Sequence, residues 1–355
     1  ILPGQRLRAR GAESNRAGRF EAREREAFDD GWNMEEEDRL VATEVRIERP
    51  RSALTFNRSP DLPFDRSINP YRGCEHGCIY CYARPTHAYL NLSPGLDFET
   101  RLIARPGIAS VLEAELRRPA YAAAPVAIGT NTDPYQPIER DHGIMREVLQ
   151  VLQAFRHPVW ITTRGTTIER DIDLIAAMAS QGLASVSISV TTLDEGLARK
   201  MEPRAPAPKR RLQMIRRLAE AGIPVRIQVS PLIPALTDHE LETVMEAGRD
   251  AGAQAANTIP LRLPLEVAAL FRDWLATSMP DRAARVMGRV RELHGGRDYD
   301  PDWGKRMRGQ GLWADLIHRR AGLARKRLGL GEGLPALRTD LFQPPPKAGD
   351  QLTLF

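Results

Sequence analysis

From Ile103 to Leu263 short apolar runs alternate with amphipathic segments at a nearly constant spacing. The first unit is a strand end at Ile103 followed by a helix that opens near Pro106, where proline suits a first turn. Further strands are expected over residues 125–129, 159–163, 185–190, 225–229 and 257–263. Helices are expected between them, over residues 140–155, 171–179, 210–221 and 238–251. In the segment 140–155, Ile144, Val148, Leu149 and Leu152 fall on one face at helical period. Such alternation specifies βα units and a parallel sheet. Right-handed crossovers curl that sheet towards a barrel, and about six units are too few for the eight of a closed one. The expected fold is therefore α/β, a partial (β/α)6 TIM-like barrel with an N-terminal arm and a helical C-terminal extension. Its site belongs in the loops at the C-terminal ends of the strands.

Composition shifts divide the chain. Residues 1–66 form an arm and lead-in, of which residues 1–50 are rich in Arg and Glu and too poor in aliphatics to bury much surface. Within it residues 10–15 and 18–20 read as a fixed loop. Residues 67–265 hold the barrel, residues 266–330 a basic helical extension, and residues 331–355 a proline-containing tail.

All three cysteines lie between Asn69 and Tyr82, at Cys74, Cys78 and Cys81. An odd count packed so closely is no disulfide framework. Three thiolates on one short loop can hold three irons of a [4Fe–4S] cube and leave the fourth iron for a small chelating molecule. Gly73 and Gly77 supply the tight backbone this needs. The rival is a Cys3His zinc site with His76 or His87 as fourth ligand, although zinc sites usually draw on two separated pairs and the chain has no second one.

The chain of 355 residues carries a formal charge of +5, with arginine far outnumbering lysine. Lys305, Arg306, Arg308, Arg319, Arg320, Arg325, Lys326 and Arg327 fall in one stretch opposed locally by Asp315 alone. That stretch makes DNA or RNA a candidate partner, with a solvated helix face as the plain alternative. No apolar run approaches the ~20 residues of a membrane span, and residues 1–6 show no signal-peptide core. With thiols kept reduced, the expected location is cytoplasmic.

The Cys74/Cys78/Cys81 spacing, with Tyr80 before the last cysteine, resembles the radical S-adenosylmethionine superfamily. Residues 67–78, 83–87, 129–135 and 261–264 further resemble its spore-photolyase-like group, often labelled DNA repair photolyases. The resemblance implies that Cys74, Cys78 and Cys81 ligate a [4Fe–4S] cluster. S-adenosylmethionine would then be cleaved, with one electron from an external donor, to a 5′-deoxyadenosyl radical that abstracts hydrogen. It places Tyr80 against the adenine. Thr130, Asn131 and Asp133 stand where relatives carry Gly-Gly-Glu for the amino group, so this chain departs from that pattern. Arg164 takes the place of a lysine facing the cofactor carboxylate. Ser187 and Ser189 share a strand face and would meet the ribose. Glu202 and Arg204 would serve cofactor, substrate or each other, and no catalytic residue is singled out.

The lyase for which the group is named uses a further cysteine to return a hydrogen atom, and none remains here. Tyr82, Tyr89 or Tyr135 could stand in. The expected function is a radical enzyme acting on nucleic acid. Its alternatives are a radical enzyme on another substrate and a zinc-stapled nucleic-acid-binding module. Finally, Gln351, Leu352, Leu354 and Phe355 resemble the peptide by which bacterial repair and replication proteins dock on the sliding clamp.

Overall fold

The computed structural model describes residues 10–12, 14–20 and 42–346. Among the described residues ten strands form two sheets: β1 (Glu44–Ile47), β2 (Leu54–Phe56), β3 (Arg66–Ile68), β4 (Tyr71–Arg72), β5 (Arg101–Ala104), β6 (Val126–Ile128), β7 (Val159–Thr163), β8 (Ala184–Ser189), β9 (Val225–Leu232) and β10 (Ala255–Pro260). The larger sheet runs β10-β9-β8-β7-β6-β3-β2, parallel throughout except for antiparallel β2. Six parallel strands with helical crossovers make the partial barrel that the alternation predicts.

The number of barrel strands is as expected, but one of the members is not. The strand at Ile103 belongs to a separate small sheet, β1-β5-β4. The first barrel strand is β3, which precedes the cysteine loop instead of following it. Its three residues, Arg66, Ser67 and Ile68, include one aliphatic, too few for an apolar run to show. The helix expected over 140–155 is also broken. Gly143, at φ +64°, separates the turn Glu139–His142 from the helix Ile144–Ala154.

The two faces of the sheet differ in chemistry. On β7, Val159, Ile161 and Thr163 are buried while Trp160 and Thr162 are half-buried; on β9, Val225, Ile227 and Val229 are buried while Arg226 and Gln228 are half-buried. Apolar side chains point outward to the helices. A Cβ on Gly248, in the helix Leu241–Asp250, would stand 2.5 Å from Ile227 Cδ1, so this crossover rides directly on β9. The concave face is left polar and accessible.

The C-terminal helices Glu266–Ser278 and Pro280–Leu293 cover the cysteine loop, with Leu270, Phe271, Trp274 and Val290 packed in one cluster with Tyr80 and Leu96. The short helix Lys305–Arg308 lies against β10, and Arg306 makes a two-pronged pair with Asp61 at 2.6 and 2.7 Å. Asp61 sits between β2 and β3, so this pair spans the two free edges of the barrel. Beyond the helix Gly311–Leu328, Gly331 bridges Ala255, Arg338 N donates to Gly182 O, and Gln343 N donates to Phe155 O. Residues 331–346 therefore lace the N-terminal ends of β10, β8 and β7. Among the described residues no helix is long and apolar enough to cross a membrane.

Candidate active site

The loop carrying the cysteines follows β3 and β4 at the C-terminal end of the barrel. Gly73 and Gly77 hold φ of +77° and +67°, which L side chains rarely adopt. A Cβ on Gly77 would also meet Glu99 Oε2 at 2.6 Å. The loop's shape is imposed by a buried ion pair that sequence reading missed. Arg84, fully buried, donates to Cys78 O at 2.9 Å, Gly77 O at 3.2 Å, Gly95 O at 2.9 Å and Glu99 Oε1 at 2.5 Å. Glu99 then accepts from Gly11 N and Ala12 N at 2.9 and 2.8 Å, which fastens the arm to the loop. On the other side the Gln136 amide brackets Cys74, donating to Gly73 O at 3.1 Å and accepting from Glu75 N at 2.8 Å.

The cysteines open on a cavity of about 140 Å³, lined by the cysteine loop, the 129–133 loop and the ends of β7 to β10. Tyr80, Thr130, Asn131, Asp133, Arg164 and Ser189 all line it, as does His76. Ser187 lies behind the lining and accepts from Arg226 Nε at 3.0 Å. His87 is away from the cavity, its Nε2 against Arg101 O at 2.9 Å and its ring edge-on to Phe98. Of the three tyrosines, Tyr82 lines the cavity, Tyr135 is buried against Asp171, and exposed Tyr89 meets Phe20 with its ring tilted.

A charged network anchors the cavity wall. Arg164 Nη1 donates to Glu202 Oε1 at 2.8 Å, to Tyr80 OH at 2.7 Å and to Cys78 Sγ at 3.0 Å. Glu202 also pairs with Arg211 and Tyr80 and accepts from Thr191 Oγ1 at 2.8 Å. Burial pushes its carboxyl pKa up, but Arg211 and Arg164 overcome that and hold it at about 2. Glu202 and Arg204 are not partners: Arg204 pairs with Glu75 at 2.6 Å. Asp133 accepts from Thr163 Oγ1, Tyr135 N and Arg164 N, the pattern of an Asx turn, and its carboxyl also sits at about 2. Burial opposes that value, and nearby His76 is the largest effect lowering it. His76 Nδ1 stands 3.4 Å from Asp133 Oδ2, outside hydrogen-bond alignment.

The cysteine thiols suit a cluster. All three are unbridged and face the same cavity. Burial drives the Cys74 pKa up and lifts Cys78 to about 12 against the pull of Arg164. Such thiols ionise when a cationic metal centre supplies the charge. Among the described residues no three His, Cys, Asp or Glu groups gather tightly enough for one metal ion. A cube makes no such demand, because each cysteine holds a different iron.

The residues from 68 to 247 match the model of the Radical SAM superfamily, and the chain belongs to it. Its cofactors are accordingly a [4Fe–4S] cluster and S-adenosylmethionine, and it is a radical SAM enzyme. An uncharacterised protein of Mycobacterium tuberculosis (strain ATCC 25618 / H37Rv) is 39% identical over 256 residues, 71% of this chain and 74% of that one. A second uncharacterised relative, from Methanocaldococcus jannaschii, is 26% identical over 49% of this chain and 62% of its own length. Among solved structures a spore photoproduct lyase mutant superposes with a TM-score of 0.58 at 15% identity, covering 81% of this chain and 80% of that one. Another lyase mutant, with bound AdoMet and dinucleoside spore photoproduct, gives 0.52 at 15% identity over 66% and 67%. This likeness is one of fold.

Proposed function

We propose that this radical enzyme abstracts hydrogen from a nucleic acid, DNA or RNA. The observation that carries the reading is the mouth of the cavity. Tyr82, 44% exposed, lies 4.2 Å beneath the Arg262 guanidinium, and Arg262 Nη1 reaches Met307 Sδ at 3.1 Å in the basic helix Lys305–Arg308. Trp303 is exposed just ahead of that helix. Aromatic faces interleaved with cations are what unpaired bases and their phosphates require. The dinucleoside ligand of the lyase that shares the fold supports the same class. The wider basic stretch is weaker than its sequence suggests. Asp61 and Glu242, distant in the chain, pair with Arg306 and Arg320, and Glu332, just beyond the stretch, pairs with Arg325.

In this reading Cys74, Cys78 and Cys81 hold the cluster. With S-adenosylmethionine bound, cluster and cofactor supply the one-electron chemistry for hydrogen abstraction. Arg164 spends Nη1 on the wall and keeps Nη2 for a carboxylate. Tyr80 backs the adenine, Ser189 meets the ribose, and Thr130 and Asn131 face the amino group. Asp133 holds the turn that presents them, and Ser187 stands one step behind. Of the three candidate tyrosines we assign the return of a hydrogen atom to Tyr82, because it lines the cavity.

Deuterium from labelled DNA or RNA is expected to appear in 5′-deoxyadenosine. If 5′-deoxyadenosine forms without label from either polymer, the substrate is not a nucleic acid.

The clamp-like residues Gln351, Leu352, Leu354 and Phe355 lie outside the described residues. We infer a role for them from their type, and from the lacing of residues 331–346 across the barrel end opposite the cavity. Bacterial sliding clamp is expected to bind the full chain and not a chain ending at Asp350. Equal affinity for both, or none for either, removes the proposal.

A further inference from the structure

The concave face of the barrel keeps two polar groups that the described chain leaves unsatisfied. Among the described residues Arg226 makes a single hydrogen bond, Nε to Ser187 Oγ at 3.0 Å, and no ion pair. Its neighbours differ: Arg164 and Arg211 reach Glu202, Arg84 reaches Glu99, and Arg204 reaches Glu75. Burial alone lowers the Arg226 pKa, with no acid to offset it. The second group is Asn257 Oδ1, which is buried and has no partner. A buried acceptor is nearly always satisfied, so Asn257 Oδ1, standing near a half-buried arginine that has one hydrogen bond and no acid, needs a reason.

Their positions give one. Ile227 turns outward onto the helix Leu241–Asp250, so Arg226 and Gln228 turn inward. Gln228 and Ser189 line the cavity, and Arg226 and Ser187 stand two residues deeper on the same strands, roughly 6–7 Å further down. Asn257 faces Gln228, a lining residue, across the β9–β10 pairing. Arg226 and Asn257 are therefore diagonal neighbours that form a floor just beneath the lining residues of the cavity.

We propose that this floor is an anion subsite, where Arg226 takes a phosphate or carboxylate of the substrate and Asn257 a hydroxyl or N–H beside it. The inference rests on the cavity being the substrate chamber. A guanidinium left without a carboxylate offers both terminal nitrogens to a planar or tetrahedral oxyanion. Its desolvation is tolerated because the ligand completes the pair.

The test uses the reconstituted holoenzyme, titrated calorimetrically with inorganic phosphate and, separately, with acetate. Saturable binding of one ion is expected, and which ion binds separates a phosphate site from a carboxylate site. Arg226→Met and Asn257→Asp, the latter setting a carboxylate against the arginine, should each weaken it at least about tenfold. Without ligand, Arg226→Met should melt about 2–4 °C higher, since a half-buried cation with no acid partner is removed. Absence of binding by either ion, equal binding by Arg226→Met, or a lower melting temperature in that variant overturns the proposal. So does a loss of S-adenosylmethionine affinity as large as the loss for phosphate, because the arginine would then serve the cofactor. Phosphate binding that persists when no deuterium leaves DNA or RNA would sink the nucleic-acid reading alone.

Discussion

Replacing Arg84 by methionine is expected to lower stability by about 3–5 kcal/mol and to leave the protein unable to retain iron. The arginine is fully buried, and its removal strands the Glu99 carboxylate together with the carbonyls of Gly77, Cys78, Pro94 and Gly95. Those carbonyls belong to the loop that carries the cysteines and to its neighbour. Denaturant unfolding reads the first effect, and iron content with visible absorption after anaerobic reconstitution reads the second. Arg84→Lys should recover part of the stability and little of the iron, since an ammonium cannot reproduce the planar fork. Full iron loading in Arg84→Met would show that the cysteine loop holds its shape without the clamp.

The second large effect is expected at Glu202. Its carboxyl sits at about 2, against the ordinary value of 4.5. A depressed carboxyl contributes stability that is present above about pH 4.5 and is lost as pH falls towards 2. A shift of this size corresponds to roughly 3 kcal/mol. Glu202→Gln should therefore lose about 3–5 kcal/mol at neutral pH, because Arg211 and Arg164 are left buried without their acid. Its unfolding free energy should also fall less steeply than that of the wild type below pH 4.5. Parallel acid profiles for the two proteins would mean that Glu202 is not the group that titrates.

The barrel was legible because its longer strands keep apolar residues on the outward face, as in Val159, Ile161, Val225, Ile227 and Val229. β3 escaped because three residues beside an antiparallel edge carry no period. The cysteines declared themselves by spacing. What holds them did not, since Arg84 finds Glu99 fifteen residues on and Gln136 reaches back 63 residues to Gly73. A charged residue in a chain of 51 basic and 46 acidic ones carries no sign of its burial. Ser187 shows the same limit from the other side: alternation gave its face, but not that Arg226 would claim its hydroxyl.

The division between the two faces of the sheet has a consequence for how such a protein can change. Apolar packing that resists unfolding lies on the convex side, while Trp160, Thr162, Arg226, Gln228 and Asn257 stand on the concave side, half-buried. Exchanges among the concave positions should touch few of the contacts that keep the chain folded. Descendants of one scaffold can then try new pocket linings without first acquiring compensating mutations. The radical chemistry is inherited with the cysteine loop, and its target drifts with the floor beneath it.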